Sequence, residues 1–110
     1  MKLPERVRIG PYDYAVQLED KVLGDQNQDL YGRIRYGPQQ INLERGLSAE
    51  RTLAVFLHEV LHGVDEYMSI GLTEKQVTRL GVGLATFLRD NDLLREDKPP
   101  APAEASQGAA

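Results

Sequence analysis

From Val7 to Glu44 apolar and polar residues tend to alternate with a period of two, the spacing of a half-buried β-strand, whose successive side chains point to opposite faces. Tyr12, Tyr14, Val16 and Leu18 share one face, with Asp13, Gln17 and Glu19 on the other. "RVRI" before them is a short alternating run, and Gly10-Pro11 between the two is a turn signal, so the pattern predicts a hairpin. The stretch "EDKVLGDQNQD" is too rich in Gly, Asn and Asp to predict regular structure. Alternation resumes in "LYGRIRY" and "QQINLE", separated by Gly37-Pro38, which predicts a second hairpin.

The period then lengthens to about 3.6. Ser48 is a suitable N-cap, Glu50 complements the helix dipole, and Leu53, Phe56, Leu57, Val60, Leu61 and Val64 form one apolar stripe. This predicts a helix over 49–68, with Gly71 as its C-terminal stop. Thr73 and Gln76 make a capping box that opens a second helix, fading near Asn91, in which Val77, Leu80, Leu84, Phe87 and Leu88 share a face. Strands first and helices after imply an α+β fold: a small antiparallel sheet of hairpins followed by two packed helices.

At 110 residues the chain has room for one core. Residues 1–95 are expected to form that domain. Residues 96–110 are rich in proline and alanine and carry no bulky apolar side chain, which predicts a disordered tail. The net charge of -4 offers no basic footprint for nucleic acid. There is no cysteine, so any metal must take nitrogen and oxygen ligands. The start lacks the apolar run of a signal peptide and no stretch is long enough to span a bilayer, which predicts an unanchored cytoplasmic protein.

The first helix carries the chain's only two histidines, His58 and His62, in the pattern H-E-x-x-H. Residues four apart stand one turn above each other, so both imidazoles can reach one ion, and Glu59 projects beside them, where it can take a proton from an attacking water. Two surface histidines on a packing helix are the bland alternative. The pattern arises by chance in well under ~1% of chains this short. Both histidines lie more than about 90° from the centre of the apolar stripe, which is expected to leave them facing away from the core.

Three acids compete to be the third ligand. Asp65 and Glu66 continue the same helix, but a series at i, i+4 and i+8 spreads along about 12 Å and converges poorly on one ion. Helix geometry therefore favours a donor from another element. Glu74, at the start of the second helix, fits, and Gly81 further along would let the two helices approach closely. The competing role for Glu74 is to complement the helix dipole. Asp65 would then accept the free N–H of a ligand histidine. The five tyrosines, on alternating strand positions for the most part, read as half-buried sheet residues, and Arg33 and Arg35 as a solvated strand face.

The arrangement resembles the gluzincin-type zinc metallopeptidases, specifically short phage or prophage proteins related to the ImmA/IrrE-like group. The similarity runs from the paired strands through "FLHEVLHGVDE" to "LTEKQVTRLGVGLATFLRDN". It implies a zincin-like fold, Zn2+ held by His58, His62 and Glu74, and Glu59 as general base in peptide-bond hydrolysis. It also implies that "QQINLE" is an edge strand along which a peptide substrate lies. Two features depart from larger members: the interval from His62 to Glu74 is shorter, and no third histidine is present to stabilise an oxyanion. That leaves Tyr36 and Tyr67 as the nearest candidates for the oxyanion role. The alternative function is non-catalytic, with the zinc clamping the helices of a protein that binds a partner.

Overall fold

A computed structural model describes residues 2–94, so the expected tail at 96–110 lies outside the described residues. Strand β1 (Arg6–Ile9) turns at Gly10-Pro11 into β2 (Tyr12–Glu19), with Ile9 opposite Tyr12 and Gly10 in the left-handed region at φ 58°. The polar stretch that follows holds a two-rung hairpin, β3 (Val22–Leu23) and β4 (Asp29–Leu30). Strand β5 (Gly32–Arg35) turns through Gly37-Pro38 into β6 (Gln40–Glu44), as the alternation predicts.

The sheet is mixed rather than antiparallel, in the order β1-β2-β6-β5. The two large hairpins join through β2 and β6, which run parallel, with Val16 opposite Ile41 and Leu18 opposite Leu43. Alternation tells which face of a strand is buried and is silent on which edges meet. The connection over residues 20–39 is long enough for a parallel crossover, which needs about a dozen residues or more. Consequently β6, the expected edge strand "QQINLE", lies inside the sheet, and the outer strands are β1 and, on the side of β6, β5.

Helix α1 (Ala49–Met68) starts where Ser48 Oγ accepts from the Arg51 N–H at 3.2 Å. It lies across the sheet and sets Phe56 into a core of Ile9, Tyr14, Ile41 and Leu43. Its buried line is Leu53, Phe56, Glu59 and Gly63, rotated from the predicted centre near Leu53, Val60 and Val64, of which Leu53 is buried while Val60 and Val64 are only half-buried. A hydrophobic pattern registers neither a glycine nor a buried carboxyl as core, and that displaces the predicted centre. The helix ends on Ser69, left-handed at φ 54°, two residues before the expected stop at Gly71.

Helix α2 (Glu74–Asp90) opens with the predicted capping box, Thr73 and Gln76 bonding each other's backbone. It returns antiparallel along α1: Glu74 meets His62 at one end, and Arg89 Nη1 meets Glu50 Oε1 at 2.7 Å at the other. A Cβ placed on Gly81 would lie 3.3 Å from the His58 backbone nitrogen, so this glycine admits the close approach that the sequence suggests. The same closeness changes the buried face. Val77, Gly81 and Ala85 are inside, whereas Leu80, Leu84 and Phe87, expected to share the core face, are exposed. Among the described residues no helix is long and apolar enough to cross a membrane.

Candidate metal centre

His58 and His62 stand one turn apart on α1, and their rings meet edge to face with the two Nε2 atoms 3.2 Å apart. Glu74 closes the set from α2: Oε1 lies 2.7 Å from His58 Nε2 and Oε2 3.0 Å from His62 Nε2. These three residues could hold a metal ion. Two nitrogens and a carboxylate oxygen suit zinc, and the Nε2 separation is near the roughly 3.3 Å edge of a tetrahedron with ~2.0 Å bonds. Rather than facing solvent, both imidazoles are half-buried in the angle between α1 and α2.

Glu66 and Asp65 stand outside this group. Asp65 does not accept from a histidine as expected; its carboxylate takes the Gly71 N–H at 2.7 Å and the Leu72 N–H at 3.2 Å. These bonds tie down the turn between the helices. The short interval from His62 to Glu74 is thereby folded back so that the glutamate reaches the ring it must meet.

Glu59 is the buried acid of the site, only 7% exposed. Burial pushes its carboxyl up to about 7, the negative charge of Glu74 adds to the rise, and a hydrogen bond from the Ile34 N–H opposes it. Ile34 belongs to β5, so this bond joins the edge strand to the centre of the motif. Both sit in a cleft of about 770 Å³, together with the three candidate ligands and Tyr36. The Tyr36 hydroxyl donates to the His62 carbonyl at 3.2 Å. Burial pushes its ionisation up to about 12, with Glu66 the next contributor, so it remains a donor across the neutral range. Tyr67 is elsewhere, its ring edge-on to Tyr12 and against Gly10.

The mouth of the cleft carries residues that strand and helix patterning did not single out. Arg51 stacks 5.2 Å above the Tyr31 ring. Its signal was present, because Arg51, His58 and His62 recur at helical spacing on one side of α1. Arg33, read as solvated, lines the cleft and pairs with Asp25 of the β3–β4 turn. Comparison of the chain with protein-family models, with curated proteins and with solved structures gave no match.

Proposed function

We propose that this protein is a minimal zincin-like, zinc-dependent peptidase. The observation that carries the reading is the place of Glu59: a buried carboxyl with its ionisation raised to about 7, in one cleft with two histidines and a glutamate that converge from two helices. A structural metal clamp has no use for such an acid, whereas a general base near neutrality is what hydrolysis of an amide demands. Zinc held by His58, His62 and Glu74 would supply a Lewis acid to the scissile carbonyl. Glu59 accepts the proton of the attacking water on its carboxylate and returns it to the leaving amine. Tyr36, protonated and in the same cleft, would serve the oxygen that gains charge by turning its single O–H away from the His62 carbonyl. The free edge of β5, from Gly32 to Arg35, takes the place of "QQINLE" as the strand on which an extended peptide lies, adding a strand to the sheet.

The test is elemental analysis of the purified protein together with hydrolysis of a mixed peptide library. The expected result is one zinc per chain, cleavage by the parent protein, and a Glu59→Gln variant that keeps the zinc and loses cleavage. Undiminished cleavage by that variant would sink the mechanism. A second reading has one observation in its favour: the ligands come from both helices, so the ion would staple α1 to α2. Stoichiometric zinc, a large fall in melting temperature on chelation and no cleavage of any library peptide would select it.

A further inference from the structure

The apolar arc of α2 is wider than the surface that α1 covers. Val77, Gly81 and Ala85 are packed against α1, yet Leu80, Leu84 and Phe87 form a parallel stripe that is 44%, 40% and 55% exposed. This stripe lies on the flank of α2 opposite Thr78 and Val82, which line the cleft, so the stripe is separate from the candidate metal centre. Within it sits Gly83. Glycine is among the least favourable residues in a helix interior. Gly81 has a reason in this chain, the close approach of α1, whereas a Cβ on Gly83 would meet nothing within 4 Å.

We propose that this stripe is a homodimer interface in which α2 packs antiparallel against α2 of a second copy, about a two-fold axis between Gly83 and Leu84. Three features of the helix fit that axis. Leu80 and Phe87 lie equally far on either side of it, so each meets the other across the interface. Leu84 of each copy falls opposite Gly83 of the other, a large side chain against an open position. Arg79 and Asp90 lie on one edge of the stripe, about 7 and 10 Å along the helix from the axis, so antiparallel packing sets opposite charges at both ends with an offset of about 3 Å that the long arginine side chain spans. Arg79 has no ion-pair partner among the described residues, and Asp90 meets only its neighbour, Arg89, at 3.3 Å.

Sedimentation velocity on the full chain, from micromolar to hundreds of micromolar, tests this. The expected result is a reversible species of twice the 12.3 kDa chain mass. Leu84→Glu, at an exposed position, gives a monomer with unchanged far-ultraviolet circular dichroism, and Lys75→Glu on the opposite side of α2 leaves the dimer intact. Arg79→Glu weakens association roughly tenfold, and Arg79→Glu combined with Asp90→Arg restores it. A monomer at every concentration, or a dimer indifferent to Leu84→Glu, overturns the interface. Failure of the charge exchange to rescue overturns the antiparallel register.

Discussion

Replacing Glu59 with glutamine isolates the energetic consequence of burying an acid under the sheet. The amide of Glu59→Gln would keep the shape and still accept the Ile34 N–H, but it cannot ionise. The wild-type carboxyl binds its proton more tightly folded, at about 7, than unfolded, near the ordinary 4.5. The folded state therefore holds the extra proton between these values, and stability falls as pH rises from about 4.5 through about 7. Full ionisation corresponds to roughly 3 kcal/mol, at about 1.4 kcal/mol per pH unit of displacement. Only about 1 kcal/mol of this is expressed at pH 5, so the advantage of Glu59→Gln grows by ~2–3 kcal/mol between pH 5 and pH 8. The assay is urea unfolding of both proteins at the two pH values after metal removal by chelation. Groups that do not interact with Glu59 are common to both chains and cancel in the difference, which leaves Glu59 and its repulsion from Glu74. On melting, the gap at pH 8 is on the order of 10 °C. Saturating zinc narrows it, because a cation on Glu74 relieves the repulsion that raises Glu59. An equal gap at pH 5 and pH 8 would refute the assignment of a buried, proton-retaining carboxyl.

Other perturbations probe the frame around it. Glu74→Ala removes the ligand from α2, and equilibrium dialysis is expected to show zinc affinity lower by at least about 100-fold with the fold retained, since Glu74 is exposed. Asp65→Ala frees the Gly71 and Leu72 N–H groups and costs about 1–3 kcal/mol in unfolding experiments; it also weakens zinc binding about tenfold by loosening the turn that aims Glu74. Gly81→Val forces α2 off the His58 backbone, destabilises the fold by about 1–3 kcal/mol and lowers zinc affinity, readable by the same two methods. Tyr36→Phe lowers kcat of peptide hydrolysis by roughly 10–100-fold with KM little changed; an equal loss confined to KM would remove the tyrosine from the reacting oxygen.

Local chemistry carried much of the fold in legible form. Ser48 and Thr73 set the helix starts, Gly10-Pro11 and Gly37-Pro38 set the turns, and the change of period from two to 3.6 separated sheet from helices. These signals act between near neighbours, which is why they can be read along a line. The H-E-x-x-H spacing places two candidate ligands by helix geometry alone, and the poor convergence of a three-turn series favours Glu74 over Asp65 and Glu66 as the third, which the folded chain brings beside them. What the line did not carry was every choice that depends on which surfaces meet. Strands β2 and β6 pair in parallel because two hairpin edges were free to join, and that moved the open edge from "QQINLE" to "GRIR".

Helix packing made the remaining decisions. Leu80, Leu84 and Phe87 are as apolar as any core residue, yet contact at Gly81 and Ala85 is tight enough to leave them outside. Glu59 reads as a polar residue and is nevertheless buried, because the face that aims His58 and His62 at Glu74 turns the intervening acid toward β5. Where the elements begin and end, and that two histidines share a turn, is written in the chain itself, because propensity, capping and helical period are properties of adjacent residues. Which strand edge stays open, which acid loses its water and which leucines keep theirs are settled only on folding, because pairing and desolvation belong to surfaces far apart in the chain.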